Sequence, residues 1–153
     1  MKPYLIKVIK TCESTNDLLI EQALNGAKEG QSILSQEQTR GKGRNSKSWT
    51  SETGNIFLST LLKPKSNKKN WYQLSLLVGL SIHETLLEIG VKRNDLKIKW
   101  PNDLLLNFKK VCGILIEAIE NFVVIGVGVN LISHPNKIKG EFQATDLSLY
   151  DGL

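Results

Sequence analysis

Residues 36–54 combine positive charge, glycine and one tryptophan in a long polar stretch between two apolar runs. Arginine presents a planar fork that matches phosphate or carboxylate, and glycine lets the backbone approach a ligand closely. Trp49 offers a flat ring that can stack on another ring. Because a long loop inside a compact domain is usually functional or disordered, the stretch predicts a clamp for an anionic ligand. Taken alone, it is equally consistent with a solvated basic loop.

Three further segments have glycine or a polar side chain where a strand usually has a bulky apolar side chain. Glycine inside a strand often marks the close approach of a ligand or of another backbone. Each segment alone is more often structural, but together they favour a site built from separate parts of the chain. The segments are Lys99-Trp100-Pro101-Asn102-Asp103, Lys110-Val111-Cys112-Gly113-Ile114-Leu115-Ile116-Glu117 and Gly126-Val127-Gly128-Val129-Asn130.

The bulk composition restricts the class of protein. The 153 residues suit a single domain, residues 1–153, and 41% hydrophobic with 23% charged residues is ordinary globular composition. The net charge of +5 favours anionic ligands or an acidic protein partner. Cys12 and Cys112 are too few and too far apart for a disulfide framework or a zinc cluster. Since we find neither a signal peptide nor a membrane-spanning run, we expect a cytoplasmic protein with no membrane partner.

A sheet is needed to bring these segments together. Alternating apolar residues predict about seven strands, and helical spacing predicts two helices. Short polar turns favour antiparallel hairpins, so we predict an α+β fold: a mixed, mostly antiparallel sheet with helices on one face. Residues 65–70 are predicted to be a surface loop, and residues 142–150 hint at one more element. One predicted helix follows the capping cluster 12–17, and the other covers residues 71–89. The predicted strands are residues 4–9, 32–36, 55–63, 96–100, 104–108, 110–119 and 122–131.

In chain order, these motifs resemble the catalytic domain of the biotin protein ligases. The resemblance covers nearly the whole chain, and the lipoate ligases, which share the broader fold, resemble this set much less. It implies a sheet like that of the class II aminoacyl-tRNA synthetases and biotin ligases. The matching residues are Ser14-Thr15-Asn16, Gln38, Gly41-Lys42-Gly43-Arg44, Trp49, Gly54-Asn55-Ile56, Ser59, Lys99-Trp100-Pro101-Asn102-Asp103, Lys110, Gly113-Ile114-Leu115, Glu117 and Gly126-Val127-Gly128-Val129-Asn130.

The resemblance implies a two-step reaction. Biotin and ATP give biotinyl-5′-adenylate and pyrophosphate, and the acyl group then passes to a lysine of a biotin carboxyl carrier protein. The first step brings a carboxylate up to a polyanion, so cations must neutralise both and hold them in line. ATP also implies Mg²⁺, held largely by phosphates and water, and we predict no protein ligand for it.

The resemblance also implies roles for individual residues. Arg44 would hold the phosphate and close over the adenylate, Lys110 would sit at the biotin carboxylate and α-phosphate, and Trp49 would stack near adenine. Asp103 would assist deprotonation of the acceptor lysine. On the biotin side, Ser14, Thr15 and Gln38 would form hydrogen bonds with the ureido ring. Gly113 and Gly126 would leave room for the bicycle, and Gly41 and Lys42 of the loop would contribute mainly backbone. The predicted nucleotide contacts are Arg44, Lys47, Trp49, Asn102, Lys110 and Asn130.

The sequence also departs from the family pattern. After Arg44 the family's loop usually continues with a further arginine, whereas here Lys47 follows and lacks the bidentate fork. We find no winged-helix segment, so no specific DNA partner is expected, and the family's C-terminal helix and small β-barrel are not apparent. Two alternatives stay open. Lys47 and the C-terminal region that is not apparent leave open a biotin-binding remnant without ligase turnover. The positive charge alone leaves open a basic nucleic-acid binder.

Overall fold

A computed structural model describes residues 5–136 and 143–151 of the chain. The strands in this part are β1 (Leu5–Cys12), β2 (Gln31–Gln38), β3 (Ile56–Leu62), β4 (Leu96–Lys99), β5 (Asp103–Leu106), β6 (Lys109–Ile119) and β7 (Phe122–Val129), and the α-helices are α1 (Thr15–Leu24) and α2 (Leu74–Glu88). The strands form one sheet in the order β1-β2-β3-β7-β6-β5-β4. β1 and β2 run parallel, and all other neighbours are antiparallel.

The helix α1 begins where the sequence supplies a cap. The Ser14 hydroxyl accepts a hydrogen bond from the Asp17 backbone amide at 3.3 Å, which satisfies one of the free amides of the first turn. Leu19 and Ala23, one turn apart, are 0% and 3% exposed. The sheet residues in the same apolar cluster are Ile33, Leu61 and Val124. Packing on β2, β3 and β7 thus holds the first turn of α1 beside the sheet.

The longer helix α2 packs on β4, β5 and β6. Gly79 brings the helix close to the sheet, because a Cβ at this position would lie 3.6 Å from Ile114 Cδ1. Leu86 of the helix joins the larger apolar cluster, which includes Leu104, Val111 and Ile114. In the described part of the chain, no helix is both long enough and apolar enough to cross a membrane.

The two helices cover opposite faces of the sheet. Asn16 of α1 lies over Gly126, since a Cβ at Gly126 would meet its side chain. The neighbouring residue, Val127, pairs with Ile114, whose side chain meets α2. Because neighbours along a strand point to opposite faces, α1 and α2 lie on different sides. The predicted α+β class and the mixed, mostly antiparallel sheet are confirmed, but the detail that the helices share one face is corrected.

The burial of β7 explains this correction. Val123 and Val124 are adjacent and point to opposite faces, yet they are 0% and 1% exposed. A strand with one solvated face would alternate between buried and exposed residues. The continuous apolar sequence of β7 therefore indicates that both faces of the strand are buried. It does not identify which helix packs on each face.

Several predicted boundaries also move. β1 and β2 are longer than predicted, and their ends pair Cys12 with Gln38. The predicted loop 65–70 overlaps a 3-10 helix, Lys68–Gln73, in which Trp71 is 4% exposed. Leu147–Leu149 forms a second 3-10 helix within the weakly predicted element 142–150. Residues 4 and 142, where two predictions began, lie outside the described residues.

Replacing Leu19 with alanine should destabilise the fold, because this side chain is fully buried between α1 and the sheet. Such truncations cost about 2–5 kcal/mol. The same change at Leu24, which is 57% exposed at the end of α1, should cost less than about 0.5 kcal/mol. Urea denaturation followed by circular dichroism measures both free energies of unfolding. Equal losses in the two variants would contradict this packing of α1.

Candidate active site

Three glycines leave a bare patch on the face of the sheet that carries α1. In the register of β6 and β7, Gly113 lies opposite Gly128, and Leu115 lies opposite Gly126. A Cβ at Gly113 or Gly128 would lie 2.6 or 2.5 Å from atoms of the Trp49 ring. The indole therefore rests directly on the backbone, an approach that only glycine permits. We call Gly113, Gly126 and Gly128 the glycine floor.

A hydrogen-bonded group lies at one end of the glycine floor. The Thr15 backbone amide and hydroxyl are 2.8 and 3.0 Å from Gln38 Oε1, which accepts from them. Gln38 Nε2 donates to the Ser51 hydroxyl at 2.9 Å. Ser14 caps α1 and also lines the cavity above the floor. The first turn of α1, the end of β2 and the polar loop 39–55 thus bring hydroxyls and an amide together.

A lysine amine lies at the other end. Lys110 Nζ is 2.7 Å from Asp103 Oδ1 and 5.3 Å from the centroid of the Trp49 ring. The Lys110 and Asp103 side chains are 22% and 19% exposed, so their ion pair is less screened by solvent than a surface pair. The face of the indole ring also attracts the ammonium.

Cations of the polar loop 39–55 reach the rim of the site. Arg44 Nη1 donates to Asn102 Oδ1 at 3.0 Å, and Asn102 Nδ2 donates to the Ile114 carbonyl at 2.9 Å. Lys42 forms an ion pair with Asp17 in the first turn of α1. Because both contacts are exposed, they contribute little stability, and an anionic ligand can replace them at low cost.

The floor, the polar group and the cations line one cavity. Its free space is only about 50 Å³, which holds a few water molecules, because the Trp49 ring lies on the floor. The Lys110 stem is at Gly113, and Asn16, the neighbour of Thr15, is at Gly126, two residues or about 7 Å apart along the strands. The predicted site residues that line the cavity are Ser14, Thr15, Gln38, Lys42, Arg44, Trp49, Asn102, Lys110, Gly113 and Gly126.

This geometry can be compared with known proteins, and residues 8–130 match the model of the Biotin/lipoate A/B protein ligase family. The chain belongs to this family. It is 38% identical over 143 residues to the bifunctional ligase/repressor BirA of Bacillus subtilis, a match that covers 88% of this chain and 43% of that protein. It is 33% identical over 137 residues to the biotin–[acetyl-CoA-carboxylase] ligase of Mycobacterium tuberculosis, with 87% and 52% covered. The chain therefore spans about half the length of these curated relatives.

Solved structures of biotin protein ligases share the fold. The enzyme of Aquifex aeolicus in complex with biotin and ATP superimposes with a TM-score of 0.82 at 34% identity, covering 94% of this chain and 60% of that one. The enzyme of Leishmania major in complex with biotin gives 0.83 at 26% identity, with 95% and 64% covered. The family resemblance predicted from the motifs is confirmed.

Within this member of the Biotin/lipoate A/B protein ligase family, four predicted site residues do not line the cavity. Asp103 reaches it only through its ion pair with Lys110. Gly41 lies behind it, where a Cβ would come within 2.5 Å of the Trp49 carbonyl. Lys47 lines an adjoining surface cavity between the polar loop and β6, which shares Lys42, Gly43 and Arg44 with the first. The fourth residue, Asn130, is 2% exposed and belongs to a different cluster.

That cluster anchors residues 143–148 to the end of β7. The Asn130 side-chain amide donates to the Thr145 carbonyl at 2.9 Å. Beside it, burial raises the pKa of Asp146, but hydrogen bonds from Ser148 and His134, together with the His134 charge, outweigh burial and hold this pKa below its usual range. In this structure Asn130 therefore serves as an anchor, and its predicted contact with the nucleotide stays a prediction.

Neither cysteine is a candidate nucleophile. Burial raises the pKa of the Cys112 thiol to about 12, although the nearby Lys110 charge acts in the opposite direction. Burial also raises the pKa of Cys12. Since reactive cysteines have depressed pKa values, both thiols are expected to stay protonated and unreactive at neutral pH.

Four residues of the site carried no predicted role: Asn16, Ser51, Ser59 and Gly128. Ser59 has a readable signal, because it is a polar residue at an inward position of an alternating strand. Asn16 and Gly128 lie inside motifs that the sequence already singled out. Ser51 has no such signal, since its contact with Gln38 depends on the path of the whole loop.

Replacing Gly128 with alanine should displace the Trp49 ring, because the new methyl group would overlap it. In protein labelled with 5-fluorotryptophan, the ¹⁹F resonance of Trp49, assigned with Trp49→Phe, should shift strongly. Gly79→Ala is the matched control, because a Cβ there meets its nearest neighbour at an ordinary 3.6 Å. A Trp49 resonance that is unmoved by Gly128→Ala but moved by Gly79→Ala would contradict this placement of the indole.

Proposed function

We propose that this chain is the catalytic part of a biotin protein ligase. It activates biotin with ATP to biotinyl-5′-AMP and passes the biotinyl group to a lysine of a biotin carboxyl carrier protein. The observation that carries the proposal is the cavity itself, in which Lys110 and the Thr15–Gln38 group lie at opposite ends of the glycine floor. A ligand with a neutral hydrogen-bonding ring and a carboxylate tail fits this arrangement of groups.

In the first step, an oxygen of the biotin carboxylate attacks the α-phosphorus of ATP. The bond between the α- and β-phosphates breaks, and pyrophosphate leaves with the electron pair. Lys110 neutralises the approaching carboxylate and phosphate, and its ion pair with Asp103 holds the ammonium at this end of the floor. Arg44 exchanges its contact with Asn102 for the phosphate, where its guanidinium forms charge-assisted hydrogen bonds.

In the second step, the acceptor lysine attacks the acyl carbon, and AMP leaves with the electrons of the broken carbon–oxygen bond. The attacking amine must lose a proton, and we assign the role of assisting this step to the Asp103 carboxylate. It lies beside Lys110, at the end of the floor where the activated carboxyl would be. Asp103 thus has two proposed roles: it holds Lys110 by an ion pair, and it receives the proton of the attacking amine.

Ligand binding requires Trp49 to leave the glycine floor. About 50 Å³ of free space cannot hold the biotin bicycle, and the indole occupies the backbone patch where a ring can approach most closely. We infer that the bicycle takes this place, and that the indole turns towards the adenine. Trp49 Nε1 supports this, because it is buried without a hydrogen-bond partner among the described residues and gains one when it moves.

The remaining assignments follow from this chemistry. Mg²⁺ would arrive with ATP and be held by phosphate oxygens and water, and in the described part of the chain no three His, Cys, Asp or Glu side chains form a metal cluster. The proposal also includes a biotin carboxyl carrier protein as the partner, contacts of Lys47 and Asn130 with ATP, and a cytoplasmic location. The nucleic-acid alternative loses weight, because it rests on charge alone, whereas Lys42 and Arg44 of the loop line the cavity above the glycine floor.

Incubation with biotin, Mg²⁺ and α-³²P-labelled ATP should produce biotinyl-5′-AMP, and added carrier domain should become labelled on one lysine. Lys110→Ala should slow adenylate formation by about 10²–10³-fold, the usual effect of removing one preorganised donor. Lys109→Ala is the matched control, because this neighbouring lysine is exposed.

The outcomes separate the alternatives. Tight biotin binding without adenylate would replace the ligase with the biotin-binding remnant, and absence of both biotin binding and adenylate would exclude both. Equal rates in the Lys110→Ala and Lys109→Ala variants would overturn the role of Lys110.

A further inference from the structure

A chain of buried polar groups runs from the cavity to a carboxylate outside it. Ser59, Asn16 and Thr15 are 0%, 3% and 4% exposed. Ser59 contacts both other residues, and Asn16 Nδ2 donates to Glu117 Oε2 at 2.7 Å. Glu117 is half-buried and is not among the residues that line the cavity. Its hydrogen bond reaches the cavity lining through Asn16, and it lines the neighbouring surface cavity beside the polar loop.

Glu117 determines which way the Asn16 amide faces. Carboxylate oxygens accept hydrogen bonds, so the NH₂ group of Asn16 must face Glu117 and its oxygen must face Ser59. The reverse orientation would set the amide oxygen against the carboxylate oxygen. The absence of a side chain at Gly126 leaves the room that Asn16 needs, since a Cβ there would lie 2.3 Å from its Oδ1.

The orientation of Asn16 then directs the two hydroxyl protons. Ser59 has one proton, and the Asn16 oxygen takes it. The Thr15 hydroxyl donates to Gln38 Oε1 at 3.0 Å, so its proton stays within the protein. Ser59 Oγ lies 2.8 Å from the Thr15 oxygen as a second possible donor, but its single proton cannot serve Thr15 while Asn16 holds it. Thr15 consequently presents an oxygen lone pair to the ligand.

We propose that Glu117 is a positioning residue: through Asn16 it keeps the Ser59 proton away from Thr15, so that the Thr15 oxygen stays free to accept from a ligand that offers an N–H group there. This inference rests on the proposed function and deepens it, because the ureido ring of biotin carries such N–H groups. If a ligand placed an oxygen at the same point, this oxygen and the Thr15 oxygen would both be acceptors, with no proton between them. Polar sites strongly reject such a mismatch.

Glu117→Gln tests the proposal, because a glutamine can accept or donate and so allows Asn16 to turn. The dissociation constant for biotin, measured by calorimetry, should rise about tenfold, as expected for one charge-assisted contact. The KM for ATP should stay unchanged. Glu88→Gln, the same charge change at an exposed end of α2, should leave biotin affinity as it is.

A second readout addresses selectivity directly. The probes are the two carbamate analogues of biotin in which an oxygen replaces one ureido N–H. The unmodified protein should prefer biotin strongly over at least one of them, and Glu117→Gln should narrow this preference. A merely structural role for Glu117 would weaken biotin and both analogues by the same factor.

The exchange variant Asn16→Asp/Glu117→Gln provides a rescue. The new glutamine can donate to the carboxylate at position 16, and that carboxylate still accepts the Ser59 proton. Asn16→Asp alone should lose biotin affinity, because two carboxylates then face each other, and the double variant should recover most of it.

Unchanged biotin affinity and selectivity in Glu117→Gln, in a protein that forms the adenylate, would overturn the inference and leave the proposed function intact. A double variant no better than Asn16→Asp would overturn it as well. If the unmodified protein neither binds biotin nor forms the adenylate, both the inference and the proposed function fail.

Discussion

The Trp49 ring lies directly on the backbone of β6 and β7, and this contact exists only because Gly113 and Gly128 carry no side chains. Elsewhere on the same face, Leu61 and Val124 fill the space under α1. Leaving backbone bare in the middle of a sheet forgoes apolar burial and adds conformational freedom to the unfolded chain. Such a gap is reasonable where another ring must approach the backbone, and the loop, the first turn of α1 and Lys110 are all arranged around it.

The polar groups beside this gap are stable only as a connected set. A buried hydroxyl or amide without a partner costs about 1–3 kcal/mol, and Ser59 and Asn16 are both almost fully buried. Their hydrogen bonds join α1 and β3, and the contact of Asn16 with Glu117 extends the set to β6. The contacts that hold these elements together are therefore the same ones that decide where donors and acceptors face the cavity.

Local patterns in the sequence were sufficient for the elements and for much of the site. Alternation located β3, and the capping residue Ser14 located the start of α1. Features that depend on distant contacts could not be read in this way. The face on which α2 packs, the contact of Ser51 with Gln38 and the position of Trp49 on the floor each depend on residues that meet only in the folded chain. The contact of the Asn130 amide with the Thr145 carbonyl is a further feature of this kind, and the predicted contact of Asn130 with the nucleotide stays a prediction.

The position of Lys110 shows how a small irregularity creates the site. Counting back from Gly113, strict alternation would place Lys110 on the face opposite to the glycine floor. The pairing of β5 with β6 shifts between Leu104 and Leu105, which pair with Cys112 and Lys110 and leave Val111 as an extra residue. This bulge lets Val111 remain in the core at 0% exposure and turns Lys110 towards the floor, where its stem meets Gly113. Bulges commonly re-aim a side chain beside an active site, and here the bulge puts the amine on the same face as Trp49 and the first turn of α1, so that cation and hydrogen-bonding groups face one ligand.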